Sequence, residues 1–301
     1  MTQGHIIFVP GKNAKPEAEQ HRDLLWRTML EGVKRASPET YNLMAPHKAC
    51  FQLTAWNYFY YHYNKDVSRD LPWIDAIINK HGPDEQDIRD AQTTDYKLTR
   101  FLYQLVDYFP FLLKLISGTL KSTANETRRY FQNDNNIACE VREFLKMQLR
   151  PLLMKNEKIL LIGHSLGSVI AYDTLWELSH LENLPGKVDL FLTLGSPLGM
   201  NYVQRRLAGH NYNGIKKYPG NIKRWANISA EGDITALDRI FADDFHEMTE
   251  LQLLESIEDH CQGIYNFFRN EEGLNSHRSY GYLVNPAVGV VIANWWHDLS
   301  K

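Results

Sequence analysis

Residues 159–167 read Ile159-Leu160-Leu161-Ile162-Gly163-His164-Ser165-Leu166-Gly167. The run of four apolar residues marks a strand buried on both faces of a parallel sheet. The stretch that follows, Leu166–Ser179, reads as a helix. Between them the pattern G-x-S-x-G puts a serine at the corner where the strand becomes a helix. Such a corner forces its apex residue into a strained backbone conformation. Gly163 and Gly167 lie two residues either side of Ser165, where a side chain would strike the neighbouring strand or helix. Ser168 and Ala171 continue the small residues, so the helix can approach the sheet closely. The serine hydroxyl is left protruding beside the first N–H groups of a helix. The competing reading is a glycine-rich turn whose serine only caps that helix.

Outward from this corner, apolar runs alternate with helical stripes. Ile6-Ile7-Phe8-Val9 is a short buried strand, beginning at His5 and ended by Pro10-Gly11. Pro16 then opens a helix with Leu25, Met29 and Val33 on one face, and Ser37-Pro38 stops it. Phe51, Leu53 and Ala55 alternate as a second strand. Ile137, Val141, Leu145, Gln148 and Leu152 form a helical stripe ahead of the corner strand. Val188–Leu194 and Asn221–Ala230 are further strands, Ile264–Phe268 is the last expected one, and Ala287–Trp296 is a closing helix. Leu251, Leu254 and Ile257 predict another helix, ending near His260. This alternation predicts an α/β fold with a doubly wound, mainly parallel sheet of about six strands. Residues 65–137 are too many for a short crossover and are expected to form a mainly helical cap, including Leu98–Ile116. The predicted core is then 1–64 with 138–301.

Composition narrows the partners. The chain has 301 residues, 44% hydrophobic and 12% aromatic, so a full core can be built. Its formal net charge of −3 gives no argument for nucleic acid or an anionic membrane surface. Cys50, Cys139 and Cys261 show neither metal spacing nor a disulfide framework, and free thiols imply a reducing compartment, expected to be the cytoplasm. His5–Val9 leaves no room for a signal peptide, and Phe101–Leu120 is interrupted by Asp107, Pro110 and Lys114, against a membrane span.

A serine hydroxyl at neutral pH needs a base, and the base needs an orienting carboxylate. With this corner motif the chain order is Ser, then Asp or Glu, then His, each at the C-terminal end of a strand. Between Asp189 and Glu231 there is no acidic residue, and Asp189 lies at the wrong end of its strand. Asp233, in the turn Glu231-Gly232-Asp233, is the expected acid; Glu231 and Asp238 compete, and Asp233 could instead cap a helix near Thr235. Of the later histidines, His246 sits in an acidic stretch, His260 near a helix end and His297 at the terminal helix. His277 follows the polar loop 270–276 and precedes a helix, so it is the expected general base. Backbone N–H groups of Leu166 and of Lys12, in Pro10-Gly11-Lys12-Asn13, are the expected oxyanion donors.

On these residues the chain resembles the α/β-hydrolase superfamily, particularly its lipase- and esterase-like members. The carrying segments are Phe8-Val9-Pro10-Gly11, Gly163–Gly167, Gly195-Ser196-Pro197, Glu231-Gly232-Asp233 and Ser276-His277. The resemblance implies Ser165 as nucleophile, Asp233 as acid, His277 as base, and Lys12 and Leu166 as oxyanion donors. It departs from the pattern at Pro10-Gly11, where many relatives have His-Gly, and in beginning at what is usually the third strand.

The expected reaction is hydrolysis of a small carboxylic ester with an apolar acyl group, through an acyl-enzyme, without metal or organic cofactor. Thioester or amide hydrolysis, acyl transfer and a silent binding module on the same scaffold are the alternatives. Phe101, Leu105, Phe109 and Leu112 belong to an apolar surface that either lines an acyl pocket or packs the cap onto the core. Residues 190–230 carry Arg205, Arg206, Lys216, Lys217, Lys223 and Arg224 with no acidic residue, and Glu231–Asp259 is strongly acidic; the two are expected to be solvated faces that attract each other, the alternative being a basic rim that steers an anionic substrate. Oligomeric state has no sequence signal.

Overall fold

The computed structural model describes residues 4–93 and 128–299. Six strands form one all-parallel sheet: β1 (His5–Val9), β2 (Phe51–Leu53), β3 (Ile159–His164), β4 (Val188–Leu194), β5 (Ile222–Ile228) and β6 (Ser256–His260). Their spatial order is β2-β1-β3-β4-β5-β6. The fold is α/β and doubly wound, as the alternating pattern predicts.

Pleating explains the layers. In β1, Ile7 and Val9 face one side of the sheet, while Ile6 and Phe8 face the other. β3 splits likewise, with Ile159 and Leu161 opposite Leu160 and Ile162. Two helices, α2 (Ile137–Met154) and α3 (Leu166–His180), cover the first face. Two others, α1 (Ala18–Ala36) and α4 (Pro286–Asp298), cover the second. Strands buried on both sides need unbroken apolar runs, which is why β1 and β3 lack alternation.

Local chemistry sets the helix ends. Glu17 accepts from the N–H groups of Glu19 at 3.0 Å and Gln20 at 3.2 Å, so α1 begins just after Pro16. Ser37 ends α1 and also caps a second helix, Pro38–Met44, through the Thr40 N–H at 3.2 Å. Ser37-Pro38 is therefore a junction as well as a stop. Leu71–Asn79 packs Ile74 and Ile77 into the α1 face.

Two expectations about the far edge are corrected. The last strand of the sheet is Ser256–His260, where a helix end was expected. Ile264–Phe268 forms no strand; it has a single bridge, Tyr265 with Glu231, and buries Ile264, Phe267 and Phe268 as irregular chain. An edge strand is half exposed, so β6 carries no apolar run for a periodicity reading to find. It is held partly by Asp259, which accepts from the N–H groups of Phe241 at 3.0 Å and Ala242 at 2.8 Å. The helix expected near Thr235 is also missing, since residues 234–240 are non-helical.

The stretch Leu98–Ile116, all of Phe101–Leu120 and the residues Phe101, Leu105, Phe109 and Leu112 lie outside the described residues. Among the described residues no helix is long and apolar enough to cross a membrane. Between the basic and acidic stretches, Lys217 pairs with Glu247 at 3.4 Å and Lys223 with Glu255 at 3.9 Å.

Candidate active site

The strand order creates the site. From β1 the chain moves outward to β2, then returns to β3 on β1's other side. The connections after β1 and β3 therefore diverge, and such a switch point is where parallel sheets of this kind place their sites. Ser165 follows β3 directly, and Gly11-Lys12 follows β1.

Ser165 has φ 55° and ψ −129°, a conformation that costs an L-residue about 1–3 kcal/mol. Its own N–H is held by the Leu194 carbonyl at 3.0 Å, and Ser168 N–H returns to the Ser165 carbonyl at 3.0 Å. The Ser168 hydroxyl adds a second bond to that carbonyl at 2.6 Å and meets the Ser196 hydroxyl at 2.7 Å. The small residues after the corner thus hold its geometry as well as leave space. A Cβ on Gly163 would lie 2.6 Å from Ser168 Cα, and one on Gly167 would lie 2.1 Å from the Val9 carbonyl oxygen. Both glycines are dictated by close approach.

His277 Nε2 lies 2.8 Å from Ser165 Oγ. Its Nδ1 lies 2.8 Å from Asp233 Oδ2 and 3.0 Å from Oδ1. A side-chain hydroxyl, an imidazole and a carboxylate are therefore joined in one hydrogen-bonded chain. With Nδ1–H donated to the carboxylate, Nε2 is the basic nitrogen facing the hydroxyl. The other candidates are elsewhere engaged. Glu231 pairs with Arg239 at 3.2 Å, and Asp238 accepts from the Ile240 N–H at 3.2 Å. His246 Nδ1 meets the Asp243 carbonyl, His260 lies near Glu258, and His297 bonds Thr40. Asp233 also accepts from the Thr235 N–H at 2.8 Å, so the capping contact exists without a helix behind it.

Asp233 is buried, and burial pushes its carboxyl pKa up. The charge of protonated His277 and hydrogen bonds from His277, Tyr282 and Thr235 outweigh that, leaving it below the ordinary carboxylate value. Tyr282 donates to Asp233 Oδ2 at 2.6 Å and accepts from the Ala230 N–H at 2.9 Å. Burial and the adjacent carboxylate push the Tyr282 phenol well up, so it remains a donor. Tyr282 has no motif around it, and only its position five residues after His277 hints at a role.

Replacing Tyr282 with phenylalanine should cost about 1–3 kcal/mol, because the Ala230 N–H and one carboxylate oxygen lose buried partners. A carboxyl held low in the fold stabilises it above the unfolded carboxyl pKa, and that gain is lost as pH falls through the folded value. Without the phenol the folded value rises, so acid unfolding of Tyr282→Phe should begin at higher pH than in the wild type. Urea denaturation between pH 7 and pH 3 checks both effects; an unshifted acid limb would remove Tyr282 from the carboxylate's support.

His164 underlies His277, with ring centroids 4.8 Å apart. Its Nε2–H donates to the His277 carbonyl at 2.8 Å, which leaves Nδ1 as an acceptor. Burial, with the nearby charges of His277 and Lys15, drives the His164 pKa well below the ordinary value, so the ring is neutral. The loop after β1 runs past the serine, since a Cβ on Gly11 would lie 2.7 Å from Ser165 Cβ. Trp56 Nε1 donates to the Pro10 carbonyl at 2.8 Å, and Asn57 Nδ2 donates to the carbonyls of Gly11 at 2.8 Å and Asn13 at 2.9 Å. Trp56 and Asn57 therefore fix the loop that contains Lys12, a task the sequence alone did not assign to them. Leu166 occupies the first position of α3, where a backbone N–H has no partner within the helix. Among the described residues no group of three or more His, Cys, Asp or Glu side chains is placed to hold a metal ion.

No protein-family model, curated protein or solved structure matches the chain.

Proposed function

We propose that the chain is a serine hydrolase that cleaves a small carboxylic ester through an acyl-enzyme. The observation that supports this best is the unbroken chain from Ser165 Oγ to His277 Nε2 at 2.8 Å and from His277 Nδ1 to Asp233 at 2.8 Å. In this reading Ser165 Oγ attacks the ester carbonyl carbon while His277 Nε2 takes its proton. The carbonyl oxygen becomes negative and is held by backbone N–H groups of Leu166 and Lys12. When the tetrahedral centre collapses, His277 gives its proton to the departing alkoxide, and an alcohol leaves. Water then attacks the acyl-enzyme with His277 again as base, releasing the acid and restoring Ser165. Asp233 keeps the imidazole in the required tautomer and stabilises its cation.

Ser165 is 3% exposed, buried where the corner motif predicts a protruding residue, so in this reading substrate entry requires movement at the site. Exclusion of water strengthens the interactions that act on the developing charge. The apolar acyl preference rests on Phe101, Leu105, Phe109 and Leu112, and a panel of esters of increasing acyl length tests it. A flat response would remove that preference.

The reading as a whole is tested with a fluorophosphonate probe. The expected result is covalent labelling of the wild-type chain and none of Ser165→Ala. If well-folded wild type stays unlabelled, the silent binding module replaces the enzyme.

A further inference from the structure

Three cations meet beside the proposed nucleophile and share one carboxylate. Lys15 lies on the loop after β1, Lys65 on the segment after β2, and Arg278 directly after His277. The first two segments are tied together by the Lys65 N–H, which donates to the Lys15 carbonyl at 2.8 Å. Asp70 accepts from Lys65 Nζ at 2.7 Å and also from Arg278 Nη2. Lys15 has no such partner: its ammonium donates to the Lys12 carbonyl at 2.8 Å, and no carboxylate lies within ion-pair distance among the described residues. Arg278 Nε is buried without a hydrogen-bond partner, although the guanidinium lies over the rings of Phe268 and Tyr280.

This arrangement is costly as it stands. A partly buried ammonium without a counter-charge loses hydration that a single carbonyl replaces only in part. Desolvation, with repulsion from Arg278, Lys65 and Lys12 against weak attraction by Asp70, lowers the Lys15 pKa to about 7. The same charges press on buried His21, whose pKa is driven well down by burial, Lys15 and Arg278. Lys15 and Arg278 are also felt by His164, which touches His277. Positive charge therefore gathers next to the site, where Arg278 adjoins His277 and Lys15 lies on the loop that passes Ser165, in a chain whose net charge is −3.

We propose that Lys15, Lys65 and Arg278 form a subsite for an anionic group, a carboxylate or a phosphate, carried by the ester that Ser165 attacks. The role of this subsite in specificity rests on the serine-hydrolase reading, whereas anion binding by these three side chains does not. A planar guanidinium can offer its free Nε–H to an anion, with the Lys15 ammonium as the second contact. An anion also favours the charged form of Lys15, so binding above neutral pH draws a proton onto it.

Calorimetric titration of the full chain at pH 8 tests this, with hexanoate and pentyl phosphate as probes and 1-hexanol as the neutral counterpart. At least one anion should bind about tenfold or more tightly than the alcohol. Its binding should take up protons, as seen by repeating the titration in buffers of different ionisation enthalpy. Lys15→Gln and Arg278→Gln should each lose about tenfold in affinity for that anion. Lys15→Arg should keep the preference and lose the proton uptake, which also guards against a variant that merely fails to fold. Which anion wins distinguishes a carboxylate from a phosphate.

Kinetics carry the inference to the substrate. The ratio of kcat/KM for p-nitrophenyl hemiglutarate over p-nitrophenyl pentanoate covers an anion on the acyl side. The ratio for 1-butyrylglycerol 3-phosphate over 1-butyrylglycerol covers the alcohol side. One of these ratios should exceed unity clearly and fall in Lys15→Gln. Equal binding of anion and alcohol, or a preference that survives both glutamine variants, overturns the subsite and leaves Lys15 as an internal support of its loop. Loss of fluorophosphonate labelling would instead strike the serine-hydrolase reading and leave the binding result standing.

Discussion

His277→Ala should lower kcat/KM for an activated ester by about 10³-fold or more. Two functions disappear with the ring. The Ser165 hydroxyl loses the nitrogen at 2.8 Å that would take its proton, and the departing alkoxide loses its proton donor. Residual turnover should persist above the uncatalysed rate, because the Leu166 and Lys12 N–H groups do not depend on the imidazole. His260→Ala is the control. Its side chain lies near Glu258 at 3.9 Å, on the edge strand, and it touches neither Ser165 nor Asp233. That variant should retain kcat/KM within about twofold. The two histidines were rivals for the same role in the sequence, so the pair of variants separates order along the chain from position in space. Comparable losses in both would overturn the assignment of the base, and full activity in His277→Ala would overturn the proposed chemistry.

The sheet interior was legible because its physics is repetitive. Strands buried on both faces are mostly apolar, so Ile6–Val9, Ile159–Ile162 and Leu190–Leu192 announce themselves. The edge was illegible for the same reason in reverse. Ser256–His260 pairs with β5 through its backbone, and backbone pairing leaves no mark on residue type. Apolar Ile264–Phe268 attracted the strand reading because burial alone, in irregular chain, needs the same side chains. At the site, the residues that are given by a turn and an order could be found: Ser165, Asp233 and His277. Their supports could not, since Trp56 and Asn57 bond the loop after β1 across 46 positions of chain, Tyr282 bonds Asp233 across 49, and none belongs to a local pattern. Lys15 was hidden differently. It lies in an ordinary polar loop, and only the meeting of three distant segments makes its charge conspicuous.

Gly167→Ala should destabilise the fold by about 3 kcal/mol, the upper end of the usual cost of overpacking. The reason is the position of the missing Cβ, 2.1 Å from the Val9 carbonyl oxygen and 2.6 Å from that of Pro10. Both are backbone atoms, so no rotamer change relieves the clash. Either α3 must move off the sheet or the end of β1 must retreat, by about 1 Å in a close-packed interior. The end of β1 is not free to retreat, because Trp56 and Asn57 hold the carbonyls of Pro10 and Gly11. Movement of α3 would carry Leu166 away from Gly11 and Lys12, so activity should fall further than stability alone explains. Gly220→Ala is the matching control: its Cβ would meet only Ser179 Cβ, at 3.9 Å. Loss of the glycine's excess freedom in the unfolded chain offsets any small cost there, and stability should stay within about 0.5 kcal/mol of wild type. Urea denaturation of both variants gives the comparison. If Gly167→Ala unfolds with Gly220→Ala and the wild type, the helix does not rest on β1 as closely as the corner requires, and the strained presentation of Ser165 loses its cause.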